Sequence, residues 1–355
     1  MKKHRILTCL VFWSFISMAV VGCKPKESAP EKSSSVELNE QTAQSFAASI
    51  VHSMEMGDAA AFNKAIDQAH IKMLVCDNSI VYSGFDVEGG QAYFEHCLQM
   101  GDQVVNALEH GGDFAFVRAY QEDGHQHVVF RIYNDYIIDF YDCLLDTVQG
   151  KIMIEDCYVY SLGTQLSENV KYNMLYNLLL QTNPESEVKW LREAEELTAS
   201  SRHREAVSLL KAHEEELKDY PLFYQLYLVN LYQDNPKTFL SRLDALKERL
   251  DPRYLLFHQL HGCYTGGDVA GTERTVEQMI DYTGDDPIYL FLLGQAYENH
   301  KQYDKAVECY EILDKSMPLF WDLWQSELAC YKVLKDQEAY DQCLRRGEEV
   351  FGLEE

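Results

Sequence analysis

The sequence predicts an α+β domain followed by an all-α domain of helical repeats. Three observations carry this reading. Between residues 113 and 160 the apolar period changes from helical to two, with tight-turn residues at each break. From residue 183 onward the text is helical, and proline recurs at Pro221, Pro252, Pro287 and Pro318, at intervals of 31, 35 and 31 residues. Ahead of both lies a short apolar run that stops at Cys23.

The first 22 residues have a cationic start (Lys2, Lys3, His4, Arg5), an apolar stretch from Ile6 to Val21 and a small-residue exit. That tripartite order reads as a signal peptide rather than a spanning helix. The exit, Val20-Val21-Gly22-Cys23, resembles the lipobox of bacterial lipoproteins. The resemblance implies cleavage before Cys23 and acylation of that residue, with more than one chain needed for stable residence in a membrane. In enteric lipoproteins an aspartate after the cysteine resembles an inner-membrane retention signal. Lys24 stands there instead, so the outer membrane is the expected location. Residues 23–40 are rich in Pro, Ser, Lys and Glu and almost free of apolar side chains, the composition of a flexible tether.

The remaining 315 residues exceed what one core usually supports, so two domains are expected, at 41–182 and 183–355. The formal charge of −26 is spread over both halves. It excludes a nucleic-acid binder and flat docking on anionic lipid. Of ten cysteines, none shows C-x-x-C or Cys/His metal spacing, and no metal site is expected.

Within 41–182, "QTAQSFAASIVHSM" sets Ala43, Phe46, Ile50 and Met54 on one helical stripe. After a break at Gly57-Asp58, "AAAFNKAIDQAHIKMLV" continues with Phe62, Ile66, Ala69 and Met73. "SIVYSG" reads as a short strand, and "GGQAYFEHCLQMGDQVVNALEHG" as further helical turns. Then "DFAFVRAYQ", "HQHVVFRIY", "YIIDFYDCLLD" and "KIMIEDCYVY" alternate, separated by Asp123-Gly124, Asn134-Asp135 and Gln149-Gly150. Four strands joined by such turns form an antiparallel meander. A last helix follows, with Ser167 as its expected N-cap. Helices first and a bent meander after resemble the nuclear transport factor two-like fold. That resemblance implies a cone whose mouth holds a small molecule, an acid/base site or a protein.

The strand alternation puts Arg118, Arg131, Asp142, Asp156 and Tyr158 on one face, expected to be wet, where opposite charges pair weakly. Asp139 and Tyr141 fall on the other face with Val128 and Phe130, where a carboxylate has a raised pKa if it is buried. His125 and His127 share a face and are expected to be exposed turn residues. A turn at 149–151 sets Cys143 opposite Cys157, either as a cross-strand disulfide or as two small core side chains.

In the second domain, residues 287–318 resemble a tetratricopeptide (TPR) repeat, through Leu293-Gly294, Tyr297, Tyr303, Ala306, Tyr310 and Pro318. A first copy begins near Ser186, with Trp190, Ala194, Leu197, Ala206 and Leu210 at matching offsets and a longer second helix. The stretches 221–251 and 252–286 are degenerate, and the last copy, 319–351, starts with "LFWDLW" and has Cys343 where the family prefers alanine. About five hairpins would stack into a short superhelix. The resemblance implies a partner-binding groove from first-helix positions, here Ile288, Phe291, Gln295, Glu298 and Asn299. Phe320, Trp321 and Trp324 are expected to form a capping core.

Together these features imply a lipid-tethered envelope protein that binds a protein or peptide through its repeats. The alternative is a small-ligand binder or enzyme that uses the cone of 41–182. No nucleophile motif or phosphate loop is present, so no catalytic residue or cofactor is assigned.

Overall fold

The computed structural model describes residues 36–77, 79–85, 89–134 and 137–352. The leader, Cys23, the tether as far as residue 35, and Asp135 of the second turn lie outside the described residues. The chain divides into two compact units, with the boundary between Asp234 and Asn235.

The described residues of the first unit open with six helices: α1 (Glu40–Glu55), α2 (Ala59–Ala65), α3 (Gln68–Val75), α4 (Ser79–Gly84), α5 (Gly90–Cys97) and α6 (Met100–Glu109). Asn39 caps α1 through a reciprocal pair of bonds with Thr42, satisfying two otherwise orphaned N–H groups. The helical text breaks a second time at Ile66, whose backbone is extended, and Asp67 then caps α3. That break rotates the expected stripe, so Phe62 and Ile66 are buried while Ala69 and Met73 are exposed. "SIVYSG" is helix α4 rather than a strand, and it lies against a later helix of the same unit.

Five antiparallel strands follow in sequential order: β1 (Asp113–Glu122), β2 (His125–Asn134), β3 (Ile137–Val148), β4 (Lys151–Val159) and the two-residue β5 (Thr164–Gln165). Asp123 and Gly124 have φ of 49° and 84°, and Gln149 and Gly150 have 51° and 77°. Two positive φ values in succession match the right-handed twist of the strands they join. Register shifts at Phe116/Arg118 and Leu144/Leu145 bend the sheet.

Helix α7 (Leu166–Thr182) begins one residue before the expected cap, with Gln165 at the N-cap position. Ser167 serves another purpose: its hydroxyl donates to Asp156 on β4. Helices α8 (Lys189–Ala199), α9 (His203–Ala212), α10 (Glu214–Leu217) and α11 (Pro221–Asp234) complete the unit.

One sheet face, carrying Val128, Phe130, Tyr141, Cys143, Cys157 and Val159, closes over α1 and α2. The rings of Phe62, Phe114 and Phe130 fill the centre, at centroid separations of 5.2–6.1 Å. The same continuous core takes in Val188, Leu191 and Ala194 of α8, Leu210 of α9, and Phe223 and Leu226 of α11. The chain therefore does not part into compact units at 182/183, because residues 188–226 supply apolar surface that the α+β layer needs.

The second unit is all helical. It contains α12 (Pro236–Asp244), α13 (Pro252–Gly266), α14 (Val269–Thr283), a 3-10 turn at Pro287–Tyr289, α15 (Leu290–Asn299), α16 (Tyr303–Asp314), α17 (Trp321–Leu334) and α18 (Gln337–Phe351). Each helix packs on the next. Gly262, Gly294 and Ser326 recur at intervals of 32 on α13, α15 and α17. A Cβ on Gly294 would lie 2.2 Å from the Tyr310 ring, and one on Gly262 would lie 2.7 Å from Phe239 and Leu240. Ser326 hydrogen-bonds Tyr310. Small residues here let neighbouring helices approach closely. Among the described residues no helix is long and apolar enough to cross a membrane.

Candidate functional site

Ile288, in the 3-10 turn before α15, and Phe291, on α15, are not groove residues. Both are buried, with Phe291 against the rings of Tyr310 and Phe320 at 6.1 and 4.7 Å. An aliphatic and an aromatic side chain at these positions gain more from core burial than from facing water. Gln295 and Glu298 are half-buried and Asn299 is exposed. Gln295 accepts from the Tyr264 hydroxyl at 2.9 Å, and Glu298 accepts from the Tyr310 hydroxyl at 2.5 Å. These bonds fix the polar side chains at the α13–α15 and α15–α16 contacts. Burial pushes the Glu298 carboxyl up, while the bonds from Tyr310 and Cys330 pull it back.

The aromatic stretch divides as well. Phe320 and Trp324 are buried, and the Trp324 indole donates to the Cys343 carbonyl at 2.9 Å. Trp321 is 40% exposed and leans on Trp324 and Phe351.

In the first unit, the charged sheet face expected to be wet is buried at Arg131, Asp142, Asp156 and Tyr158. Its charges have partners that make burial tolerable. Arg131 pairs with Asp113 at 2.5 Å, and Asp156 accepts from the Ser167 hydroxyl and from two backbone N–H groups.

Asp142 gathers a cluster that alternation alone did not reveal. It accepts from the Tyr120 hydroxyl at 2.6 Å and faces His127 Nδ1 at 3.1 Å. The Tyr120 and His127 rings stack at 4.8 Å, and the Arg118 guanidinium lies over Tyr120 at 4.5 Å. His127 is thus held in a network rather than waving at a turn, whereas His125 is exposed. Burial, reinforced by Asp142, pushes the Tyr120 hydroxyl well up, so it stays protonated and donates. An imidazole that donates from Nδ1 to a carboxylate keeps Nε2 as an acceptor, the arrangement of a positioned general base. The His127 side chain is 18% exposed. The signal available in the sequence is register: Tyr120 pairs with His127, two positions along the same face from the Val129–Asp142 pair.

Asp139 is committed elsewhere. It accepts from Phe140 N, Ser161 N and Ser161 Oγ at 2.8, 2.9 and 2.5 Å. Burial raises its pKa to about 6 against those three bonds. A shallow recess between α7 and α11 is lined by Asn169, Tyr172, Asn173, Tyr176, Tyr220 and Gln225. Three of its polar groups are tied to protein: Tyr176 donates to Glu195, Tyr220 to Glu187 and Asn173 to Asn169. Among the described residues no cluster of three or more His, Cys, Asp or Glu is placed to hold a metal.

Cys143 and Cys157 face each other directly across β3 and β4, as thiols with Sγ atoms 3.2 Å apart. Comparison with known protein families, curated proteins and solved structures returns no match.

Proposed function

We propose that the chain is a cell-envelope lipoprotein, tethered through Cys23, whose helical hairpins bind a protein partner. The observation that supports this most is the 32-residue recurrence of Gly262, Gly294 and Ser326 on successive first helices. Regular stacking of this kind builds extended surfaces suited to holding another chain. The hairpins are read as degenerate TPR repeats, and the first unit as a nuclear transport factor two-like cone filled by Phe62, Phe114 and Phe130. The contact surface is the polar edge of Gln295, Glu298 and Asn299, without Ile288 and Phe291.

Growth with an alkyne-tagged fatty acid should label the protein in the membrane fraction, and Cys23→Ala should abolish the label and release the protein. An unlabelled, soluble wild type would overturn the anchor. Chemical crosslinking in cells should yield a specific adduct that falls at least tenfold in Gln295→Ala/Asn299→Ala. An adduct of unchanged yield moves the contact off this face.

The Tyr120–His127–Asp142 network favours a second reading, a small-molecule site on the sheet rather than inside the cone. A thermal-shift screen of small esters, carboxylates and phosphates tests it. Stabilisation that vanishes in His127→Asn supports the site, and a ligand that stabilises both forms equally rejects it.

A further inference from the structure

Cys143 and Cys157 are direct cross-strand partners, both fully buried, with Sγ atoms 3.2 Å apart. Directly opposed residues of an antiparallel pair have Cα separations of about 4.5–5.5 Å. That interval lies inside the range a disulfide spans, so no strand has to slide. The sulfurs need only approach by roughly 1 Å to reach a bond length of about 2.05 Å. Several other cysteines sit beside different partners: Cys97 by Tyr93, Cys263 by Thr275, Cys330 by Glu298 and Cys343 by Glu327.

Timing follows from burial. The thiolate is the species that attacks a disulfide. In the closed sheet, burial and the neighbouring Cys143 hold the Cys157 thiol far from ionising, and no surface of either sulfur meets solvent. A bond between them has to form while the hairpin is still open. The hairpin is local, with its register set by the Gln149-Gly150 turn and the shift at Leu144/Leu145, so the two thiols meet early.

We propose that Cys143 and Cys157 are joined in the mature protein by a disulfide, acquired during folding from a disulfide-bearing thiol oxidant of the envelope. One protein thiolate attacks the oxidant's disulfide, forming a mixed disulfide and releasing one oxidant thiol. The second protein thiolate attacks the protein sulfur of that mixed disulfide and releases the other. Two electrons and two protons pass to the oxidant, which leaves as a dithiol. The source of oxidant rests on the export reading above, whereas the geometry of the pair does not. Once covered by the sheet, the bond is out of reach of soluble thiols, and it closes a 15-residue loop.

The test refolds the full chain from denaturant in a reduced/oxidised glutathione buffer, blocks free thiols in denaturant and maps the peptides. The expected result is a peptide linked through Cys143 and Cys157 that separates on reduction. Reduction in the unfolded state should then raise the unfolding constant of the first unit by about a hundredfold, the scale of a 15-residue loop. The Cys143→Ala/Cys157→Ala variant should show no such response. Both cysteines recovered blocked from a refolded chain with native circular dichroism would overturn the proposal. The same mapping on protein taken from its own cells, thiols blocked at lysis, covers a chain that refolds poorly. An envelope protein with both thiols free overturns the bond and leaves export standing. A cytoplasmic location overturns export, and the glutathione result then decides the bond alone.

Discussion

Arg346→Met is expected to destabilise the second unit by about 3 kcal/mol. Arg346 on α18 reaches Glu327 on α17 and Asp314 on α16, the latter at 2.7 Å. The Glu327 side chain is 1% exposed, and its Oε1 has no hydrogen-bond partner. Without the guanidinium, a carboxylate remains buried with only the Cys343 thiol beside it, at 3.7 Å. Because Arg346 is itself one-third exposed, the figure sits at the low end for a broken buried pair. Thermal unfolding should move down by roughly 10 °C.

The pH dependence identifies the cause. Burial raises the Glu327 carboxyl, and the Arg346 bond opposes that rise. Removing Arg346 lets it rise further above its unfolded value. A group raised in the folded state contributes stability below its unfolded pKa and loses it as pH rises through the folded pKa. The deficit of Arg346→Met should therefore shrink toward acid pH and grow toward neutrality. Glu327→Leu/Arg346→Met should recover most of the loss at neutral pH. A double variant as unstable as the single one would mean that the arginine stem, not the buried charge, is what matters.

Phe130→Ala is expected to cost the first unit about 3–5 kcal/mol. Phe130 is fully buried, 5.8 Å from the Phe62 ring and 5.2 Å from Phe114. Its removal leaves an apolar hole where the core of the first unit is now filled. Such a hole stays dry and accepts a small aromatic guest. Benzene or indole should raise the melting temperature of Phe130→Ala and leave the wild type unmoved. A wild type stabilised by the same guests would mean that the interior already holds a ligand site. Urea titration monitored by near-ultraviolet circular dichroism measures the cost directly, and a loss below about 1 kcal/mol would show the site collapsing around the deletion.

The parts of this architecture that sequence reveals are those written in local chemistry. Asp123-Gly124 and Gln149-Gly150 announce hairpins because few residue pairs tolerate two positive φ values in succession. The Gln149-Gly150 turn alone would set Cys143 opposite Asp156, and the register shift at Leu144/Leu145 moves it opposite Cys157. The small residues of the helical array mark close approaches in the same direct way. Helix α4 eludes such reading because six residues with Ile80-Val81 inside them fit a strand as well as a helix. The buried charged face eludes it for a deeper reason. Arg131, Asp142 and Asp156 look like a wet surface until their partners are known, and Asp113 and Ser167 come from elsewhere in the fold. The Asp142–His127–Tyr120 network is hidden by the same dependence on register. The burial of Phe291 is likewise illegible, because helical spacing says which helix a residue lies on, while neighbouring rings decide whether it is covered.

The continuous core of the first unit has a consequence for biosynthesis. A nascent chain ending at Thr182 contains β1–β5 and α1–α7, yet lacks Val188, Leu191, Ala194, Phe223 and Leu226. Its apolar surface stays partly uncovered until some forty further residues have been delivered, so closure is late relative to the order in which the strands emerge. The order of synthesis therefore places completion of this core after the whole meander has emerged, and ties the folding of the sheet to helices that follow it in the chain.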